Sequence, residues 1–169
     1  MAFSGSSYFP GRISPEKALQ KLKHFCGYQE RCQKEVRQKL YTLGLLKKDV
    51  EELISRLIEE EYLNEERFAM RFASGKSRIK GWGIQKIRNE LRQKGISAYC
   101  IGKALKALDK IEYKEAFNRV AGKKWTALRG EKNIFVRKNK WRLFLLQRGF
   151  EPLLINSWVF PELKEAGNG

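Results

Sequence analysis

The residues best suited to chemistry are few and poorly placed for it. His24 is the only histidine. It lies near Cys26 and Cys32, but one His with two Cys lacks the ligand spacing of a zinc finger. No Ser or Asp stands with it in a recognisable triad motif. Carboxylate pairs such as Glu51-Glu52 fall in a segment of regular helical apolar spacing, where they read as solvated helix surface. Gly81-Trp82-Gly83 is too short for a phosphate-binding loop and lacks the third glycine and the strand before it. No metal, cofactor or small-molecule substrate is therefore expected, and the chain should act by contact and not by catalysis.

Cations are the stronger candidates. Lys86, Arg88, Arg92 and Lys94 flank the apolar set Ile84, Ile87 and Leu91, with Arg78 and Lys80 just before them. Arg137, Lys138, Lys140, Arg142 and Arg148 repeat the arrangement further along. Lys and Arg on one side of a row of helices can neutralise phosphates or meet an acidic protein groove. The plainer reading of any one such charge is that it solubilises a helix; recurrence at equivalent positions argues for a binding face. Trp82 precedes the first basic helix. Two readings stand for it, a staple packed at the helix start or an exposed contact.

The whole chain supports a polyanion partner. It has 169 residues, a formal net charge of +16 and 42% apolar residues, enough to fold around a core. A surface this positive attracts polyanions and repels copies of itself, so a monomer is expected. Nucleic acid is the first reading of the partner, acidic protein or lipid the second. No run approaches the roughly 18 apolar residues that span a bilayer. The opening MAFSGSSYFPGR has no apolar core of signal-peptide length. Three cysteines, an odd number, suit a reducing compartment. A soluble cytoplasmic protein is expected.

Helical grammar organises the middle of the chain. No proline falls between Pro15 and Pro152, and proline is the main helix breaker. Ser14-Pro15-Glu16 reads as a helix start, followed by Ala18, Leu19, Leu22, Phe25 and Cys26 at helical spacing. A second helix is read over 32–42, with Val36, Leu40 and Leu43 on one face and Gly44 as its stop. A third runs from about Lys47 to Glu60, with Val50, Leu53, Ile54, Leu57 and Ile58 inward. Asn64 caps a fourth that carries Phe68, Ala69 and Phe72.

An internal repeat then emerges. EVRQKLYTLGL (35–45) lies over KIRNELRQKGI (86–96), and KWRLFLLQRGF (140–150) lies over the latter. Lys86 falls on Lys140, Arg88 on Arg142, Lys94 on Arg148, and Gly44, Gly95 and Gly149 coincide. The expected fold is all-α, three tandem helix-turn-helix-like units of three helices, stacked as an elongated right-handed or curved array that buries a shared apolar seam. Their expected spans are 15–61, 62–110 and 111–160, between a flexible tail at 1–13 and a second tail at 161–169. Phe68, Phe72, Trp141 and Phe150 fall at apolar repeat positions and are expected in the core. Charge is uneven: from Asp49 to Glu66 eight acidic residues face Arg56 alone, whereas from Arg119 to Arg148 ten basic residues face Glu131 alone.

The run Glu61-Tyr62-Leu63-Asn64-Glu65-Glu66-Arg67-Phe68-Ala69, then Phe72, Gly81-Trp82-Gly83 and Lys86-Ile87-Arg88-Asn89-Glu90-Leu91-Arg92-Gln93-Lys94-Gly95-Ile96, resembles the RecX family of bacterial regulators. The repeat architecture matches over about residues 15–160, with the third unit more diverged. Glu61 stands where that family commonly has glycine, Asn64 where it has aspartate and Ile84 where it has proline. The resemblance implies a modulator of RecA recombinase in recombination, repair and the SOS response. Such a protein binds RecA, lies along the groove of the RecA–DNA filament and usually inhibits its ATPase and strand exchange. Two other readings stay open: a helical DNA-binding protein without a RecA role, and a scaffold that grips an acidic partner.

Overall fold

A computed structural model describes residues 13–161. The expected tails at 1–13 and 161–169 lie outside the described residues, apart from Ile13 and Pro161. Ile13 packs against the first core and is not tail.

The described residues are helical, without strands. The first three helices are α1 (Pro15–Tyr28), α2 (Gln33–Thr42) and α3 (Lys47–Glu59). The next three are α4 (Glu65–Lys80), α5 (Ile84–Gln93) and α6 (Ala98–Lys106), and the last are α7 (Lys110–Ala127), α8 (Ile134–Gln147) and α9 (Pro152–Asn156). Local signals set the starts. Ser14, Asn64 and Ser97 each accept a hydrogen bond from the amide three residues on. Asp109 and Asn133 accept from the amides two and three residues on. Glycine sets the stops: Gly44, Gly95 and Gly149 follow the second helix of each triplet with φ of 81, 78 and 86°, the left-handed region where a side chain is strained.

Three apolar clusters form. The first holds Leu22, Val36, Leu40, Val50, Leu53 and Leu57. The second gathers Phe68, Ile87, Leu91 and Ile101. The third is aromatic, with Phe117, Trp125, Trp141 and Phe150 around Leu145. Two details depart from expectation. Ile58, read as inward, is 41% exposed, because Val50, Leu53, Ile54 and Leu57 already fill the buried side of α3. Cys32, the residue that starts α2, packs in the second cluster although the chain places it with the first. It is a peg from one unit into the next.

Candidate functional site

The Gly81-Trp82-Gly83 turn sits at the centre of the basic region, and each of its residues has a separate job. Gly81 ends α4 at φ 62°, and a Cβ there would come 2.4 Å from Val120 of α7. Trp82 is half-buried and meets Phe72 edge-on at 6.5 Å; it belongs to the second core. Gly83 lies backbone to backbone with the end of α8. Its amide donates to the Arg148 carbonyl at 2.8 Å, and the Gln85 amide donates to that of Gly149 at 3.0 Å. A Cβ on Gly83 would lie 2.2 Å from the Gly149 carbonyl. The Ile84 amide donates to the Tyr113 hydroxyl at 3.0 Å, which donates to Glu151 at 2.5 Å. Burial, then the Glu151 hydrogen bond, pushes the Tyr113 phenol well above its usual range. A proline at position 84 would fit the first turn of α5 but would remove this amide donor.

Around the turn the cations divide by edge. Lys76 and Lys86 lie 4.9 and 4.6 Å over the Trp82 ring, and Lys94 lies 5.7 Å over Phe72. Lys94 also ion-pairs with Glu35 at 2.7 Å, while the other Glu35 oxygen accepts from the Cys32 amide at 3.3 Å. Lys86 and Lys94 thus share one edge of α5, facing an aromatic ladder. Arg88 and Arg92 share another. Arg88 reaches Gln85 at 3.0 Å, and Arg92 is exposed. Arg78, Lys80, Trp82, Lys86 and Arg148 come together at the junction with the third unit. There Arg119 donates to the Arg78 carbonyl at 2.6 Å and Arg148 to that of Lys80 at 2.7 Å.

The basic set on α8 is different. Arg137 is only 6% exposed. Its guanidinium stacks 3.7 Å over Trp125 and donates to the Trp125 carbonyl at 3.0 Å. Expected on a binding face, it sits instead inside the third core, where a flat cation can satisfy a carbonyl and cover an indole at once. Lys138 lies 5.0 Å over Phe160, Lys140 pairs with Glu131 at 2.7 Å, and Arg142 bonds Asn156 at 2.5 Å. The outer side of α8 carries exposed Phe135 and Leu143 instead. Sequence reading missed Arg119, Lys123 and Lys124 as partners of Lys80 and Arg148. They lie in the same charge run, but only the docking of α7 on α4 brings them together.

Fold and site together define a protein of tandem three-helix units whose junctions and second helices present cations. A family profile described as the second three-helix domain of RecX matches residues 64–105. A curated relative, "Regulatory protein RecX" from Prosthecochloris aestuarii, is 32% identical over 135 residues, covering 80% of this chain and 86% of its own. One from Salmonella typhi is 40% identical over 104 residues, 60% of this chain and 59% of its own. The fold is shared with the crystal structure of RecX from Lactobacillus salivarius, with a TM-score of 0.72 at 24% identity over 85% of this chain and 92% of that one. The chain belongs to the RecX family of regulatory proteins. Among the described residues, no helix is long and apolar enough to cross a membrane.

Proposed function

We propose that this chain regulates RecA recombinase by binding the RecA–DNA filament and lowering its ATPase and strand-exchange activity. One observation carries the reading: the second unit, which the RecX family profile matches, presents Arg88 and Arg92 on one edge of α5 with no acidic partner among the described residues. The positively charged edge suits a groove lined by phosphates and carboxylates. Membership of a family of regulatory proteins supports action by contact.

The test is RecA ATPase on single-stranded DNA with the protein titrated in. Inhibition by the parent, weakened at least about tenfold by Arg88→Glu with Arg92→Glu, is the expected result, since each reversal turns attraction into repulsion. Lys47→Glu with Lys48→Glu removes the same charge from the first unit and should keep the parent's inhibition. No effect of the parent on RecA would overturn the reading. A DNA-binding role without RecA is the second reading. It predicts equal affinity for bare and RecA-coated DNA.

A further inference from the structure

Between the end of α4, α7 and α8 runs a groove lined by Lys80, Arg119, Lys123, Lys124, Phe144 and Arg148, with no carboxylate in its lining. Five cations from three helices face one channel. Acidic partners of the kind found at two other basic positions, Glu35 for Lys94 and Glu131 for Lys140, are absent here, and these five have no ion pair among the described residues. The floor is apolar. Lys124 lies 4.6 Å and Arg148 5.2 Å over the Phe144 ring, so the ring holds two cations beside a low-dielectric wall that concentrates their field.

The groove also lies at a helix C-terminus, where exposed carbonyls would repel an anion. Arg119 and Arg148 cancel that effect by donating to the Arg78 and Lys80 carbonyls. With both guanidiniums anchored in this way, the charges left to meet a ligand are mainly lysine ammoniums. Those are rotatable point charges, which can each meet a phosphate without a fixed fork geometry. Arg119 and Lys123 are four residues apart on α7, about 6 Å between Cβ atoms, so the cations form a line and not a single point.

We infer that this groove binds the phosphodiester backbone of single-stranded DNA directly, without RecA. The inference rests on the filament-regulator reading, to which it adds the DNA-contacting surface. Lys123 and Lys124 are the residues to change. Lys123 is exposed, Lys124 is half-buried, and neither anchors the backbone.

The experiment measures binding of a fluorescent oligo-dT at several salt concentrations, without RecA, for the parent, Lys123→Gln with Lys124→Gln, and Lys47→Gln with Lys48→Gln. Both variants lose the same charge. The groove variant should bind about tenfold more weakly at low salt, and its salt slope should be shallower by about 1.4, two phosphate contacts at 0.7 each. The control should track the parent, with circular dichroism confirming unchanged helix content in all three. Equal weakening by both variants would overturn the inference, leaving only net charge at work. So would displacement of the oligonucleotide by polyglutamate as readily as by unlabelled oligo-dT, which would make the groove a site for acidic peptide. Failure here leaves RecA inhibition intact. Loss of RecA inhibition alone, with oligo-dT binding as expected, would instead sink the regulator reading.

Discussion

The two junctions between units are built on the same plan and filled in opposite ways. In each, the start of one unit's second helix meets the glycine stop of the next unit. Between the first and second units the contact is made by side chains and charge. Cys32 pegs into the second core, Glu35 pairs with Lys94, Lys34 donates to the Gln93 carbonyl at 2.9 Å, and Arg67 pairs with Glu30 at 2.6 Å. Between the second and third units Gly83 takes the place of Cys32, Lys86 that of Glu35 and Arg148 that of Lys94. A Lys86–Arg148 pair would repel. Arg148 turns instead to the Lys80 carbonyl, and the backbones close to direct hydrogen bonds. An ion pair between partly exposed side chains leaves the first junction subject to screening, whereas paired backbone amides and carbonyls fix distance and register.

Glycine substitution should separate the junctions most. At Gly149, with φ 86°, a Cβ would lie 2.3 Å from the Lys86 amide nitrogen. Gly149→Ala should cost roughly 3 kcal/mol, from left-handed strain plus overpacking. At Gly95 a Cβ meets nothing within 4 Å, so Gly95→Ala should cost only about 1–2 kcal/mol, the strain alone. Urea unfolding of both variants measures the difference; equal losses would mean the second junction is no tighter than the first.

Tyr113→Phe is expected to cost about 1–3 kcal/mol, because it strands the part-buried Ile84 amide and removes the donor to Glu151. The same phenol makes the second junction sensitive to alkali. Its pKa in the fold is raised above the ordinary 10.0, so the fold favours the neutral form. That stability is fully present below about pH 10 and is lost as pH rises through the higher folded value. Parent and variant melting temperatures should therefore converge at high pH. Curves that stay parallel would mean the phenol does not bridge Ile84 and Glu151.

At the first junction one change should stabilise. Glu61 is the single non-glycine residue with positive φ among the described residues, at 61°, and it follows α3 where glycine is common in the family. Its carbonyl accepts from Arg67 at 2.9 Å, a bond glycine keeps. Glu61→Gly should gain about 1 kcal/mol, read as a higher melting temperature. Smallest of all is the Glu35–Lys94 ion pair. Both side chains are partly exposed, so a double-mutant cycle should give a coupling of at most about 1 kcal/mol that shrinks with added salt. A large, salt-independent coupling would show that the pair is shielded from solvent and would blur the contrast.

Helix starts, glycine stops and the threefold repeat were legible in the residues, because caps, left-handed stops and apolar spacing act over a few positions and need no tertiary partner. The family signature in 61–96 was legible for the same reason: its caps, turn and apolar face are contiguous in the chain. What each cation does was not. Arg137 and Arg142 sit at similar-looking basic positions of α8, yet one is buried against Trp125 and the other reaches Asn156. Arg119 finds the Arg78 carbonyl 41 residues away. Charge and spacing determine which residues a helix carries and on which edge. Only the docking of α7 and α8 onto the end of α4 decides which charges are neutralised, which are buried and which remain facing a groove, because a charge's energy depends on its neighbours and its solvent, and those are set by packing across the chain.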